Sequence, residues 1–336
     1  LAAAVGRTYD LPTAMCIPAA GILLAHPYLL TQASFQLSFL AVTSLVYPGR
    51  LFSARREKLF PSEKISAAVS ALFTGLSIQM ETAPVILWHS FGIPVYGVFL
   101  NLLVIPLMTY VVVSGFLGLG LSFFSENTGS AMLGGAHYIL KFYEVLCNGT
   151  GKLPGAELIL GQPEVWKLGC YYVLVIFGAV AYGSGAEIAE KLSEALHQRM
   201  ESGIHRLTVL CAAWLTAFLF LLPSCPTGLS VTFLDVGQGD GIVLRSGSRT
   251  VLVDCGSSQQ KSVGEKVLVP YLKSRGVTRL DLAVMTHGDQ DHINGVRYLL
   301  EHPESGIRVS GLMMPKAGKD EIYGTMAALA KKQDIP

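Results

Sequence analysis

The stretch AVMTHGDQDHINGV, residues 283–296, decides how the C-terminal part of this chain is interpreted. Within six residues it carries His287, Asp289, Asp291 and His292, directly after a short apolar run. Such a mixed set of imidazole and carboxylate groups suits zinc, manganese or another first-row divalent ion. The alternative is a solvated acidic turn in which Asp291 caps the following helix.

The spacing of the cluster favours two metal ions. Alternate residues of an extended loop point in opposite directions, so His287, Asp289 and Asp291 are expected to fan around two adjacent ions. His292, at the start of the next helix, would reach the second ion. Two ions roughly 3.5–4 Å apart clamp the attacking and leaving oxygens of a phosphoester and generate hydroxide at neutral pH.

Two glycine-rich motifs precede this loop and strengthen the metal interpretation. FLDVGQGDGIVL, residues 233–244, places Asp240 in a glycine-rich turn, and VLVDCGS, residues 251–257, ends a strand at Asp254. Each motif alone is typical of a turn with a capping carboxylate. Because both stand in line before the His/Asp loop, they predict supporting groups for one site.

The distribution of charge predicts two domains. The chain is 51% hydrophobic and 15% charged, against roughly 25% charged residues in ordinary soluble domains. Residues 1–224 contain 24 charged residues, and the last 112 residues contain 25. We therefore predict a membrane domain at 1–224, a linker at 225–229 and a second domain at 230–336. The net charge of +1 excludes a globally basic nucleic-acid binder, so any polyanion contact must be local.

The first 224 residues contain several apolar runs, few of which reach the ~20 residues of a simple membrane span. The cleanest runs cover residues 101–124, 165–182 and 206–223, and the shorter or interrupted ones cover 12–25, 33–47, 65–80 and 84–100. Broken segments are tolerated at membrane depth when protein or a water-filled cavity covers the freed backbone groups. A polytopic helical bundle with an interior is therefore predicted, and a bundle of tilted helices without a conduit is the alternative.

Two polar residues within the apolar runs, Gln36 and Asn101, are candidates for a pathway through this bundle, or equally for helix-to-helix hydrogen bonds. The basic stretch at residues 48–64 and the amphipathic stretch at 187–200 predict cytoplasmic segments. With an even number of crossings between them, the last span would deliver the C-terminal domain to the outer face.

The periodicity changes after residue 230. VTFLDV, GIVLR and TVLVD predict a meander of strands, and the segments that follow alternate between helix and strand. This order predicts an α/β sandwich with its catalytic groups on strand-end loops. The six cysteines are scattered without a CxxC pair, so neither a disulfide framework nor a thiolate metal site is predicted.

In order and spacing, TFLDVGQGDGIVL, VLVDCG and VMTHGDQDHINGV resemble the metallo-β-lactamase-type domain of the ComEC family of DNA-internalization competence proteins. Upstream, TQASFQLSFLAV and FLNLLVIPLMT resemble the polytopic competence domain of that family. The resemblance implies a multi-pass channel of the bacterial inner membrane that passes single-stranded DNA during natural transformation. It further implies a nuclease-like C-terminal domain, contacts with lipid and with DNA-uptake machinery proteins, and a homo-oligomer.

The resemblance also implies roles for individual residues. In the general HxHxDH motif of the fold, the position of the second histidine is Asp289 here. By this resemblance, His287 and Asp289 would bind one metal ion, and Asp291 and His292 would bind the other. Asp291 would also be the catalytic group that holds the activating water. Two carboxylates match further motif positions, Asp240 and Asp254. Asp254 would orient ligands rather than contact metal.

The resemblance also implies further His and Asp ligands from the second half of the fold, and we expect none of these ligands after His302. We therefore expect a fragment that holds the N-terminal half of the domain, lacks an amino-terminal OB-type domain and binds metal with an incomplete ligand set. Because fold does not determine substrate, two other functions stay open. One is a membrane-anchored metallo-hydrolase of a small ester or phosphodiester, and the other is a solute permease with a regulatory tail.

Overall fold

The computed structural model describes residues 11–46, 63–177, 202–223, 227–315 and 321–336. The chain divides into two compact units. The first consists of Leu1–Ile86, Pro94–Leu158 and Val165–Leu221, and the second of Leu87–Ile93, Ile159–Glu164 and Leu222–Pro336. The second unit thus includes two short segments from the N-terminal part of the chain, Leu87–Ile93 and Ile159–Glu164. The predicted linker overlaps residues 224–226, which are outside the described part of the chain.

The N-terminal region is helical. Its described helices are α1 (Leu11–Ala25), α2 (Ala33–Val46), α3 (Glu63–Ser90), α4 (Gly97–Ser122), α5 (Glu126–Gly151), α6 (Val165–Phe177) and α7 (Ser202–Phe220). A 3₁₀ turn at Pro27–Thr31 joins α1 to α2. Two three-residue strands, β1 (Gly92–Pro94) and β2 (Glu157–Ile159), pair with each other.

Among the described residues, α4 alone has the length and apolar composition to cross a bilayer. Four shorter apolar helical stretches accompany it, at Thr13–Ala25, Ala33–Ser44, Val165–Phe177 and Cys211–Phe220. The basic stretch at 48–64 lies almost entirely outside the described residues, and the amphipathic stretch at 187–200 lies wholly outside them.

Helix α3 differs from the sequence prediction, which separated residues 65–80 from 84–100. The structure has one helix of 28 residues that continues through Pro84. Proline lacks the N–H that would bond the carbonyl four residues earlier and crowds the preceding turn. The Tyr171 hydroxyl donates a hydrogen bond to the Met80 carbonyl, and the Tyr172 hydroxyl donates to the Glu81 carbonyl at 3.1 Å. Tertiary partners therefore satisfy the carbonyls beside the proline.

Helix α5 was not predicted, because its sequence is polar and rich in glycine. It packs closely on α4 where Gly118 and Gly129 face each other. A Cβ on Gly118 would lie 2.7 Å from the Leu133 Cγ, and one on Gly129 would lie 2.9 Å from the Gly118 carbonyl oxygen. The glycines that weaken the helical signal in the sequence are those that permit this close approach.

The C-terminal part is built on a five-stranded mixed sheet. Its strands are β3 (Leu229–Phe233), β4 (Gly241–Ser246), β5 (Arg249–Cys255), β7 (Leu282–Val284) and β9 (Leu312–Met313), in that spatial order. The predicted meander is confirmed, since β3, β4 and β5 pair antiparallel. Strands β5, β7 and β9 are parallel. A separate pair is formed by β6 (Arg279–Leu280) and β8 (Arg308–Val309).

In the described part of the chain, three α-helices, a π-helical turn and a 3₁₀ turn at Pro303–Ser305 accompany this sheet. A π-helical turn at Gly264–Leu268 leads into α8 (Val269–Ser274), and α9 (Gln290–Glu301) and α10 (Glu321–Lys332) follow. The single strand predicted from RVSGLMM is instead divided between β8 and β9. Buried apolar residues of the strands and of α9 form one core, represented by Val243, Leu252, Ala283, Ile293 and Leu299.

Candidate metal centre

A β-bulge at the end of β5 aims Asp254 into the site. Gly241 of β4 pairs with Cys255 of β5, whereas the next residue, Ile242, pairs with Val253. Asp254 has no partner in this register and is the extra residue of the bulge. Its φ of 52° is unusual for a residue other than glycine, although aspartate adopts this region more readily than most. Asp254 is 4% exposed. Bulges of this kind commonly re-aim a side chain beside a functional site.

Three backbone segments meet around Asp254, and this contact explains one glycine in each of the two upstream motifs, Gly239 and Gly256. A Cβ on Gly239 would lie 2.3 Å from the Gly256 carbonyl oxygen, and one on Gly256 would lie 2.3 Å from the Asp291 carbonyl carbon. The Asp240 N–H donates to the Asp291 carbonyl at 3.2 Å, and the Gly256 N–H donates to the Asp240 carbonyl at 2.9 Å. Any side chain at these glycines would force the segments apart.

The His/Asp loop connects β7 to α9. The helix begins at Gln290, so Asp289 occupies the N-cap position, and Asp291 lies within the first turn. The alternative that Asp291 caps this helix is therefore wrong. The Asp289 side chain makes no capping hydrogen bond, and the His292 N–H donates to the Asp289 backbone carbonyl at 3.0 Å instead. The carboxylates of the loop are thus not used as helix caps.

Two histidines and one buried carboxylate converge in this site. Ligand atoms of Asp254, His287 and His292 all lie within 4.8 Å of one another. The two imidazole ring centroids are 3.7 Å apart, with an interplanar angle of 48°. The His292 Nδ1 is 3.1 Å from the Asp254 Oδ2 and 3.7 Å from the Asp240 Oδ2.

The other two predicted ligands lie at the rim of this cluster. The Asp289 Oδ2 is 3.7 Å from the His287 Nε2, and the Asp289 side chain is 78% exposed. The Asp291 Oδ2 is 3.9 Å from the His292 Nε2, with the Asp291 side chain 36% exposed. All six residues that the sequence singled out in this domain therefore lie in one neighbourhood, with Asp254 at its buried end.

The chemistry of the cluster fits a divalent cation. Imidazole nitrogens and carboxylate oxygens are the donor atoms that zinc and manganese accept, and several negative charges are brought together here. Near the two rings, the carboxylates of Asp240, Asp254, Asp289 and Asp291 supply these charges. A bound cation would offset their mutual repulsion.

Two residues of the site were missed by the sequence analysis. The Thr286 N–H donates to the Asp254 Oδ1 at 2.8 Å, and the Thr286 hydroxyl donates to the Asp254 Oδ2 at 2.6 Å. The Asn294 side chain accepts from the Ser257 N–H at 3.2 Å and donates to the Ser257 carbonyl at 2.8 Å. Asparagine has a low helix propensity. Its place inside a predicted helix is the one sequence feature that could have indicated a role for Asn294.

Cys255 adjoins the site but does not contribute a ligand. Its side chain is fully buried in the core. Burial, with a smaller effect from the Asp254 charge, raises the pKa of the Cys255 thiol to about 12. A thiol that stays protonated at neutral pH is a poor nucleophile.

The two channel candidates of the helical region have local contacts. The Gln36 side-chain amide donates to the Leu30 carbonyl at 2.9 Å, across the turn between α1 and α2. Asn101 on α4 lies opposite Gly75 of α3, where a Cβ on Gly75 would be 3.9 Å from the Asn101 Cβ. A pathway role for either residue stays a prediction.

Comparison with known proteins agrees with this combination of parts. Residues 1–184 match the Competence protein family, and residues 234–318 match the metallo-beta-lactamase superfamily. The fold and site thus define a competence-type helical region followed by a metallo-β-lactamase-type domain. The chain belongs to the ComEC family of competence proteins.

Individual relatives align with different shares of the chain. ComE operon protein 3 of Bacillus subtilis is 28% identical over 319 residues, which cover 90% of this chain and 38% of that protein. Competence protein ComA of Neisseria gonorrhoeae is 35% identical over 94 residues, or 28% of this chain and 12% of that protein. The chain therefore spans less than two fifths of the length of these relatives. No solved structure matches the chain.

Proposed function

We propose that this protein is a multi-pass component of the bacterial inner membrane that passes single-stranded DNA during natural transformation. We further propose that its C-terminal domain is a metal-dependent phosphodiesterase that acts on the strand that is not imported. The observation that carries the proposal is the convergence of Asp254, His287 and His292 within 4.8 Å, in a chain whose first 184 residues match the Competence family.

In this proposal His287 and Asp289 hold one divalent ion, and Asp291 and His292 hold the other. When bound, the metal would supply a hydroxide nucleophile at neutral pH and would compensate phosphate charge. Asp254 is buried, and its hydrogen bonds keep the loop in place. Asp291, which is partly exposed, accepts a proton from the attacking water, and Asp240 supports the ring of His292 from the opposite side.

The membrane part of the proposal is based on α4 and on the shorter apolar helices around it. Helix α4 is long enough to span a bilayer, and the shorter helices would cross it only as parts of a bundle. Gln36 and Asn101 are proposed to face the DNA path. The basic stretches of the sequence favour placing the C-terminal domain at the outer face. Proposed partners are single-stranded DNA, lipid, DNA-uptake machinery proteins and further copies of this chain.

Substitutions in the full-length protein test the nuclease part. We expect His287→Ala and Asp291→Ala each to lower metal affinity and DNA hydrolysis by at least the roughly 10–100-fold that outer ligand partners contribute at metal sites. Transformation frequency should fall with them. His302→Ala is the matched control, because His302 pairs with Glu304 at 2.7 Å and is not part of the cluster. Equal transformation in all three variants, with metal binding lost in the first two, would refute the uptake role of the site.

A second set of variants tests the channel part. Gln36→Ala and Asn101→Ala should impair transformation while metal content and hydrolysis stay unchanged. Loss of ester hydrolysis without any loss of transformation in the cluster variants would instead indicate a membrane-anchored hydrolase with the helices as scaffold. Normal DNA uptake in both channel variants would remove these residues from the DNA path.

A further inference from the structure

The Thr286 hydroxyl lies between a carboxylate and an imidazole of the candidate metal centre. Its Oγ1 is 2.6 Å from the Asp254 Oδ2 and 2.8 Å from the His287 Nδ1. The same Asp254 oxygen is 3.1 Å from the His292 Nδ1. The Asp254 Oδ2 therefore contacts His292 directly and His287 through the Thr286 hydroxyl group.

Counting protons determines the direction of these hydrogen bonds. A carboxylate accepts hydrogen bonds only, whereas a hydroxyl group has one proton to donate. The distance of 2.6 Å between the Thr286 Oγ1 and the Asp254 Oδ2 falls in the range of an O–H bonded to an ionised oxygen. The Thr286 hydroxyl therefore donates its single proton to Asp254. Its oxygen can then only accept a hydrogen bond from His287.

The tautomers of both histidines follow from this. His287 must carry its proton on Nδ1, since the Thr286 oxygen accepts from that atom. His292 must also carry its proton on Nδ1, since that atom faces the Asp254 carboxylate. In the neutral rings the lone pairs are then on the two Nε2 atoms. These atoms face Asp289 at 3.7 Å and Asp291 at 3.9 Å.

We propose that Thr286 is a positioning residue that, together with Asp254, holds both histidines as Nδ1–H tautomers and so leaves the Nε2 atom of each ring free to bind one of the two divalent ions. The proposal rests on the proposed function, because it takes a divalent cation as the ligand of the cluster. Hydrogen bonds of this kind orient metal-binding histidines and raise their basicity. Thr286 contacts neither metal nor substrate in this role.

The sheet explains why the hydroxyl is placed there. Strands β5 and β7 are parallel neighbours, with Val253 opposite Val284, so Asp254 and Thr286 emerge at the same end of the sheet. The Thr286 backbone N–H donates to the Asp254 Oδ1, and this hydrogen bond does not depend on the Thr286 side chain. Thr286→Val therefore removes the hydroxyl while it keeps the backbone contact and the branched shape.

The test compares Thr286→Val and Thr286→Ser in the full chain, with Thr325→Val as a control. The Thr325 hydroxyl bonds only the Glu321 carbonyl on the exposed side of α10. Zinc affinity is measured by competition with a chromogenic chelator. We expect a loss of roughly 10–100-fold in Thr286→Val, recovery in Thr286→Ser and no change in the control. Unchanged zinc affinity in Thr286→Val, or equal loss in both Thr286 variants, would overturn the proposal.

A second measurement does not depend on metal. Nitrogen-15 NMR of the metal-free chain labelled at its eight histidines reports the tautomer of each ring, and a His287→Asn variant identifies the signal of His287. We expect Nδ1–H at His287 in the unsubstituted chain and a mixture of tautomers in Thr286→Val. An Nε2–H tautomer at His287 would contradict the proposal. If the unsubstituted chain bound no zinc, the proposed function would fail, yet the tautomer would still decide the role of Thr286.

Discussion

At the scale of single residues, Gly256 is the position where the motifs of the metal centre come into contact. A Cβ there would lie 2.3 Å from the Asp291 carbonyl carbon and 2.4 Å from the His292 nitrogen. Both neighbours are backbone atoms in the first turn of α9, so they cannot move away as a flexible side chain would. The glycine is needed for space and not for an unusual φ.

We expect Gly256→Ala to destabilise the C-terminal unit by about 1–3 kcal/mol, which is typical of overpacking, and to weaken zinc binding because His292 is displaced. Gly324→Ala is the matched control in the same unit, because nothing lies within 4 Å of an added Cβ in α10. That change should stabilise the helix by about 0.8–1.0 kcal/mol. Thermal denaturation of the purified chain compares the two. A similar melting temperature for both variants would contradict the packing described here.

Asn294 is the second residue whose role depends on backbone contacts. Its side chain bonds both the N–H and the carbonyl of Ser257, which is buried. We expect Asn294→Ala to cost about 1–3 kcal/mol, because two buried backbone groups lose their partner. Asn148→Ala, at an exposed position of α5, should stay within about 0.5 kcal/mol. Denaturant midpoints measure both, and equal midpoints would show that Ser257 finds other partners.

At the scale of elements, α3 shows how a helix passes through a proline. The carbonyls of Met80 and Glu81 receive hydrogen bonds from Tyr171 and Tyr172 on α6. In an apolar environment an unsatisfied carbonyl is costly, so these two hydroxyl groups are part of what keeps α3 continuous. The Thr43 hydroxyl on α2 adds a contact with the Glu81 carboxylate at 3.2 Å.

A double-mutant cycle tests this account. Tyr171→Phe should destabilise the helical unit by about 1–3 kcal/mol, because it leaves the Met80 carbonyl without a partner. In a Pro84→Ala background the same change should cost less, since the new N–H can bond that carbonyl. Tyr138→Phe, at a side chain that is 74% exposed on α5, is the control. Denaturation in detergent gives the four free energies, and an equal cost of Tyr171→Phe in both backgrounds would rule out the link to Pro84.

At the scale of the whole molecule, the C-terminal unit is made from three stretches of the chain. Within it, the Gln162 N–H donates to the Ser274 carbonyl at 2.7 Å. Gly161 has a φ of +82°, and a Cβ there would lie 2.9 Å from the Gly276 nitrogen and 2.9 Å from the Ser274 carbonyl oxygen. The segment Ile159–Glu164 is therefore an integral part of this unit.

Two glycine variants separate backbone strain from this contact. Gly155 also has a positive φ, of +72°, but nothing lies within 4 Å of an added Cβ. Gly155→Ala should cost about 1–2 kcal/mol through strain alone. Gly161→Ala should cost about 1–3 kcal/mol more, because it also overpacks the contact with Ser274 and Gly276. Hydrogen exchange at α8 should become faster in Gly161→Ala and stay unchanged in Gly155→Ala, and equal protection of α8 in both variants would show that the segment is not anchored there.

The features that could be predicted from the sequence are those that depend on residues close together along the chain. The alternation in β3 to β5, the apolar length of α4 and the spacing of His287 and His292 are short-range patterns, so they predicted a helical region, a strand meander and a metal loop. Helix α5 and the continuity of α3 could not be predicted in this way. Glycines and a proline oppose helix formation locally, and packing on neighbouring helices overrides that preference.

The assembly of the candidate metal centre depends on contacts between segments that are distant in sequence. Asp254 is separated in sequence from Thr286 and His292 by more than 30 residues, and parallel pairing of β5 with β7 brings them within hydrogen-bonding distance. Sequence spacing predicted which residues would bind a metal. In our proposal, the bulge at Asp254 and the hydroxyl of Thr286 determine which nitrogen of His287 and of His292 faces the metal. The sequence could not predict this, because hydrogen bonds between distant segments form only once the strands have paired.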